Sequence, residues 1–244
     1  MTLVSYPTEV ALLPTDITCT PGLLAFCMAL CYNRVVSAEA REGQRALGIL
    51  GGTFDPIHYG HLVAAEEARH AFGLGSVLFI PCGQPYHKPK APIASAEDRY
   101  EMTRVAIASN PFFDVSRIEI DRPGPSYTID TVESLRHEQP NCALRIILGT
   151  DAVEELTSWA RPEGLLKECR LIVVSRPGTS WAEARRALPA AYLEHVDWLE
   201  IPGLHISSTE LRQRAAEGRP LRYLVPDAVD AYIRERGLYG VPGV

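Results

Sequence analysis

The sequence predicts an α/β fold, a doubly wound parallel sheet with helices on both faces and a helical C-terminal end. From residue 46 onward, short apolar runs of strand length alternate with stretches of helical spacing, the pattern of successive strand–helix units. The runs are nearly continuous in apolar residues, which is how strands read when both of their faces are covered. The unusual Gly-, Pro- and His-rich loops follow these runs directly, at the carboxyl ends of strands, where open α/β sheets bind ligands.

Taken in order, ALGIL (46–50), SVLFIP (76–81), FFDVSRI (112–118), LRIILG (144–149), RLIVVS (170–175) and VDWLEI (196–201) read as strands. Their apolar and β-branched content and their length support that reading. Between them, HLVAAEEARHAF, SAEDRYEMTRVAIAS, TIDTVESLRHE and the arc through EELTSWARPEGLL have helical spacing. SSTELRQRAAEG and VPDAVDAYIRERG add two further helical patterns, each closing near a glycine that suits a helix C-cap. The architecture expected is Rossmann-like, in one domain over residues 46–240 with a tail at 241–244.

A chain of 244 residues with 46% hydrophobic and 22% charged residues can bury a substantial core. Its formal net charge of −6 lacks the basic surplus that a general nucleic-acid binder gathers on one face. No nucleic-acid partner is expected, whereas a small anionic ligand needs only a local pocket. The six cysteines, at 19, 27, 31, 82, 142 and 169, form no C-x-x-C pair, and a reducing, cytoplasmic setting fits them best. Cys27 and Cys31 stand at helical spacing, but no nearby His or Cys pair completes a four-ligand metal set. Residues 1–45 lack the strand–helix order. Their apolar run LLAFCMALC (23–31) is far short of the ~20 residues that span a bilayer. Glu9 and Asp16 precede it, with no Lys or Arg, unlike a secretion signal. The segment is expected to be a flexible or weakly attached extension, with an added helix packed on the domain as the second reading, and no membrane partner is expected.

The stretch that points to chemistry is GGTFDPIHYGH, residues 51–61, directly after the first strand. Gly51 and Gly52 remove side chains where a ligand could approach the backbone, and Pro56 favours an extended Asp55. A helix beginning near Gly60 or His61 would turn its unpaired amides and positive dipole end toward the loop, a place for phosphate. The spacing matches neither G-x-x-x-x-G-K-[ST] nor G-x-G-x-x-G. His58 and His61, three apart, share one side of a helical turn. A zinc reading lacks a third protein ligand and the E-x-x-H register, so no protein metal site is expected. Isolated, such a pair reads as a capping histidine plus a surface one. The glycines, the helix start and the preceding strand favour two imidazoles aimed at an anion.

With these residues in view, LGILGGTFDPIHYGH resembles the signature of the nucleotidyltransferases that carry an H-x-G-H motif, and specifically that of the bacterial nicotinate-nucleotide adenylyltransferases. ISSTELR (206–212) is similar to the second motif of that family. Physically, Ser207 or Ser208 can cap a helix, Glu210 completes a capping box in the Ser207 register, and hydroxyls, amides and Arg212 gather at one end. PCGQPYHKPK (81–90) resembles the family's P-P-H-K loop, with Tyr86 in place of a proline and with His87 and Lys88 kept. PSYTIDT (125–131), LGTDA (148–152) and Trp159 resemble its mononucleotide-binding segments.

The resemblance, which covers roughly residues 46 to 240, implies adenylyl transfer from ATP to nicotinate mononucleotide. It implies an ATP site made by Gly51, Gly52, Thr53, Phe54, His58, His61, Ile206, Ser207, Ser208, Thr209 and Arg212. The implied mononucleotide site comprises Lys88, Tyr127, Thr128, Gly149, Asp151, Trp159 and Ala160. Asp151 would bond a ribose hydroxyl, Trp159 would stack on the pyridine ring, and amides around Thr128 and Ala160 would meet the carboxylate. His58, His61, Lys88 and Arg212 would carry catalysis, with Mg²⁺ held through ATP phosphates. The resemblance leaves open a homo-oligomer and the choice between nicotinate and nicotinamide mononucleotide. Two other readings stand beside it: a pantetheine-phosphate adenylyltransferase or cytidylyltransferase of the same superfamily, and a nucleotide-sensing module without turnover.

Overall fold

The computed structural model describes residues 46–85, 94–175 and 181–241. The expectations for residues 1–45, for Tyr86, His87 and Lys88, and for 242–244 lie outside the described residues. In chain order the elements are β1 (Ala46–Gly52), α1 (Tyr59–Ala71), β2 (Ser76–Pro81), α2 (Ala96–Ile107) and β3 (Phe113–Val115). Next come α3 (Thr128–Glu138), β4 (Ala143–Gly149), α4 (Thr150–Glu154), α5 (Pro162–Glu168), β5 (Arg170–Ser175) and α6 (Trp181–Ala187). The chain continues through β6 (Val196–Glu200), α7 (Ser208–Ala216) and α8 (Asp227–Glu235), with tight turns at Leu156–Ser158, Ala190–His195 and Leu238–Gly240.

The six strands form one sheet in the order β3-β2-β1-β4-β5-β6, and every pairing is parallel. This is the doubly wound order, whose topological switch falls between β1 and β4 and opens a crevice at their carboxyl ends. Alternate residues of the strands feed two separate cores. Leu50, Phe79 and Ile147 pack with α1, α2, α7 and α8 on one face. Leu47, Ile49, Ile146 and Leu148 pack with α3 and α5 on the other. The apolar strands are continuous because both faces are covered.

Besides α6 (Trp181–Ala187), a helix that the sequence reading lacks, two elements differ from it. The strand expected over 112–118 is limited to Phe113–Val115. Among the described residues it lies at the sheet edge and pairs with β2 alone, and the chain then turns away around Arg117, whose guanidinium forks onto Glu97 at 2.7 and 2.8 Å and meets Asp121 at 3.0 Å. The helical arc expected through 154–166 breaks into α4, a single tight turn and α5. Pro162 forces the break, since it lacks an N–H and clashes with a preceding helical turn. It sits at the start of α5 behind Arg161, whose φ of 51° is left-handed.

The C-terminal elements return to the first loop. Arg212 on α7 donates to the Asp55 carbonyl at 2.7 Å, and Ser208 donates to the Pro56 carbonyl at 2.9 Å. Tyr239, in the last turn, donates to the Asp55 carboxylate at 2.7 Å, and the Ala94 amide donates to the same oxygen at 3.2 Å. Asp55 is only 4% exposed, so it depends on these donors. Tyr239→Phe is expected to lower stability by about 1–3 kcal/mol, because a buried acceptor loses a partner. Denaturant unfolding of the two proteins measures it, and an unchanged midpoint would show that Asp55 does not need the hydroxyl.

Candidate active site

The site lies where the topology places it, at the carboxyl ends of β1 and β4. Gly51, Gly52 and Thr53 line a cavity of about 190 Å³ together with Leu148, Thr128 and Trp159. A Cβ on Gly51 would meet nothing within 4 Å, whereas one on Gly52 would stand 2.9 Å from the Phe54 ring. Phe54 itself is 2% exposed with a φ of 50°. Its ring meets His61 edge-on at 5.1 Å between centroids, so the Phe54 side chain lies beneath the predicted ATP site and supports it. The Asp55–Pro56 peptide that follows is cis.

Helix α1 begins at Tyr59 with His58 as its N-cap. The two imidazoles stack at 3.7 Å between centroids, 28° from parallel. The His58 amide donates to Nδ1 of His61 at 3.2 Å. That bond makes Nδ1 an acceptor, so a neutral His61 carries its proton on Nε2 and can donate from there. His58 is buried while His61 is half-buried, which makes His61 the more open of the pair. Gly60 explains the H-x-G-H spacing, because a Cβ there would sit 3.0 Å from the His58 ring.

The second predicted motif arrives beside the first. Ser207 caps α7 and accepts from the Glu210 amide at 3.2 Å, the serine half of the expected capping box. Arg212 donates to the Thr209 hydroxyl at 3.2 Å in addition to the Asp55 carbonyl, which holds its guanidinium next to the 51–61 loop. Ile206 is buried, and its carbonyl lies 4.0 Å from a Cβ placed on Gly60. The start of α1 and the start of α7 therefore face one region and both turn a positive dipole end toward it, although at α1 the Tyr59 amide donates to the Leu224 carbonyl and the His61 amide to the His58 carbonyl.

On the other side of β1, Tyr127 caps α3 and Thr128 opens it. Trp159 is the C-cap of the turn after α4 and is partly buried against the second core. Ala160 follows it, beside the left-handed Arg161. Gly149 caps α4 and Asp151 lies in its first turn, both exposed at the end of β4. Of the predicted site residues, Lys88 alone lies outside the described residues.

The cavity lining also holds Cys82, Ser126 and Thr131, which lie within the quoted motifs without being singled out, and Glu119 and Glu155, which lie in none of them. Glu119 is 8% exposed and accepts from the Thr131 hydroxyl at 2.8 Å. Burial pushes its carboxyl above the ordinary range, against the opposing effect of Thr131, Arg122, Ser126 and Cys82. Burial likewise raises the Cys82 thiol to about 11, which keeps it protonated and unreactive near neutral pH. Ser126 accepts from the Gly83 and Gln84 amides at 3.1 and 3.2 Å and so ties the end of β2 to the α3 cap. Arg99, on α2, is 1% exposed beneath the same loops.

Fold and site together define a nucleotidyltransferase of the cytidylyltransferase-like class, whose family model matches residues 49–214. A nicotinate-nucleotide adenylyltransferase of Moorella thermoacetica is 50% identical over 197 residues, covering 79% of this chain and 91% of its own length. One from Acidothermus cellulolyticus is 51% identical over 203 residues, covering 81% and 96%. The chain belongs to the nicotinate-nucleotide adenylyltransferase family. The fold is also that of the Plasmodium falciparum nicotinic acid mononucleotide adenylyltransferase solved with NaAD, with a TM-score of 0.68, 20% identity and coverage of 81% of this chain and 98% of that one. Among the described residues no helix is long and apolar enough to cross a membrane.

Gly60→Ala is expected to lower turnover roughly tenfold or more by displacing the His58 ring, although alanine is the better helix former. Steady-state rates measured beside a thermal melt separate the two effects, and unchanged turnover would mean the ring has room to yield. Glu119 yields a pH prediction. A raised native value means that the folded protein holds this proton where the unfolded chain, near 4.5, has released it. The stabilisation is complete below that range and is lost as pH rises through the native value. In melts at pH 5 and pH 8, Glu119→Gln should therefore gain on the parent at the higher pH. An equal difference at both would contradict the assignment.

Proposed function

We propose that the chain transfers the adenylyl group of ATP to nicotinate mononucleotide, giving nicotinate adenine dinucleotide and pyrophosphate in NAD biosynthesis, with the residues above in definite roles. The observation that carries the reading is the meeting of two anion-facing helix starts, His58–His61 and Ser207–Arg212, beside a cavity that the same first loop shares with Trp159. One half suits a triphosphate and the other a mononucleotide base. The cavity is lined by Thr128 and Trp159, the residues expected at the pyridine ring and its carboxylate.

The mononucleotide phosphate is the nucleophile, and it is largely ionised near neutral pH, so no protein base is required. Its oxygen attacks the α-phosphorus in line as the bond to the leaving pyrophosphate breaks. Catalysis then rests on positioning and on neutralising the charge that develops. His61 donates from Nε2 to a phosphate oxygen, and His58 supports it through the stacked ring and the bond from its own amide. Arg212, fixed on the Asp55 carbonyl, holds the departing pyrophosphate, with Lys88 assigned to the same anion. Gly51 leaves the nucleotide room to approach the backbone, whereas Gly52 makes room for the Phe54 ring.

Among the described residues no group of three or more His, Cys, Asp or Glu could hold a metal ion. The donors at the site suit anions, so a Mg²⁺ ion would arrive on the phosphate oxygens of ATP with water completing its shell. Bound in that way, it would neutralise phosphate charge.

Pyrophosphate release measured with ATP or CTP and a panel of nicotinate mononucleotide, nicotinamide mononucleotide and phosphopantetheine tests the proposal. Release with ATP and nicotinate mononucleotide is expected to exceed every other pairing. Faster turnover with phosphopantetheine or CTP would assign the chain to the other branches of the superfamily. His61→Ala should lose on the order of 10²- to 10³-fold in turnover, as loss of a single anion-stabilising donor does, while near-normal turnover with only a raised KM would remove His61 from the chemistry.

A further inference from the structure

The side chain of Arg99 is almost wholly removed from water, at 1% exposure, yet it is an arginine and stays charged. Burying such a charge is costly unless something specific compensates for it. Its partners here are two carbonyls from the loops that follow different strands. Nη1 donates to Thr53, in the loop after β1, at 2.8 Å, and Nη2 donates to Gly83, in the corner after β2, at 3.2 Å. Its Nε has no partner among the described residues. The acidic groups that act on its charge, Asp55 and Glu119, do so without forming an ion pair with it.

The two carbonyls belong to the two halves of the site. Thr53 lies within the motif that faces the triphosphate. Gly83 sits at the corner whose amides are held by Ser126, beside the α3 cap. That corner has no slack on its other side, because a Cβ on Gly83 would stand 2.1 Å from the Glu119 carbonyl. A planar guanidinium with fixed N–H directions sets the distance between its two acceptors in a way that a flexible ammonium does not. Its charge also lies one carbonyl below a cleft expected to fill with phosphate oxygens.

We propose that Arg99 is a positioning residue of the reaction: it fixes the spacing between the Thr53 and Gly83 corners, and so between the two substrates, and places a buried positive charge beneath the phosphates. The inference rests on the adenylyl-transfer reading above. A purely structural arginine would change the melting temperature and leave the kinetic constants of the folded protein alone. A positioning arginine changes kcat and couples the two KM values, since a misplacement of about 1 Å between reactants costs on the order of 100-fold in rate.

The test is Arg99→Lys, which keeps the charge and loses the fork, beside Arg99→Met, which loses both. Pyrophosphate release gives kcat and KM for each substrate at 25 °C, and circular dichroism confirms folding at the same temperature. Folded Arg99→Lys is expected to lose roughly 10- to 100-fold in kcat with both KM values raised, and Arg99→Met to lose more. If Arg99→Met does not fold, Arg99→Lys decides. Kinetic constants within about twofold of the parent in folded Arg99→Lys would overturn the proposal. So would an Arg99→Lys that is itself unfolded at 25 °C, since the arginine would then serve the fold. A parent that releases no pyrophosphate would sink the reaction assignment and this inference with it, whereas an active parent matched by Arg99→Lys sinks this inference alone.

Discussion

Asp55 is the point to which the site is tied. It is a carboxylate at 4% exposure that accepts from Tyr239 and from the Ala94 amide, while its own carbonyl accepts from Arg212. These partners come from the last turn of the described chain, from the entrance to α2 and from α7. Through one residue, the loop that follows the central strand is bound to sequence nearly two hundred positions away. The separation of 184 residues between Asp55 and Tyr239 shows how late in the chain this loop finds its support. Together with the bond from Ser208 to the Pro56 carbonyl, that tie keeps the starts of α1 and α7 side by side.

Around Asp55 the electrostatics are local rather than global. The chain carries a net charge of −6, and a polyanionic substrate gains nothing from such a field at long range. On the proposed reading it meets a set of fixed donors instead: His61 with its proton directed to Nε2, and Arg212, beside two helix starts. Arg99 lies below. Donors already held in place by the fold need no reorganisation when charge develops on the phosphates, and that is the condition under which they lower a barrier most. On the same reading the cavity that would take the mononucleotide uses different means, the Trp159 ring and backbone groups in a lining that includes the Glu119 carboxyl, kept toward its neutral form by burial.

The parallel sheet was legible in the sequence because strands covered on both faces must be apolar throughout, and the strands at 46, 76, 144, 170 and 196 begin within a residue of where the pattern puts them. β3 was read too long, since an edge strand's end is decided by where pairing stops and not by its own residues. The arc after β4 was read as continuous although Pro162 stood in it. At the site, the quoted motifs led to the stacked histidines and to Arg212, whose types and spacing advertise anion binding. Glu119 carried no such signal, because a lone acid between a strand and a loop looks solvated. Arg99 did carry one: residues 99, 102, 103 and 106 form a helical stripe that is otherwise uncharged, and a charge on that stripe is a buried charge. The contact that explains it, to two carbonyls from the loops after separate strands, is tertiary and has no trace in local spacing.

The most direct measurement of the account is an experimental structure of the protein with nicotinate mononucleotide and a non-hydrolysable ATP analogue bound together. The predicted complex has the pyridine ring on Trp159, the triphosphate between His61 and Arg212, and the mononucleotide phosphate oxygen about 3–3.5 Å from the α-phosphorus and in line with the leaving group. A triphosphate bound away from His61 and Arg212, or a pyridine ring outside the cavity of Thr128 and Trp159, would contradict it.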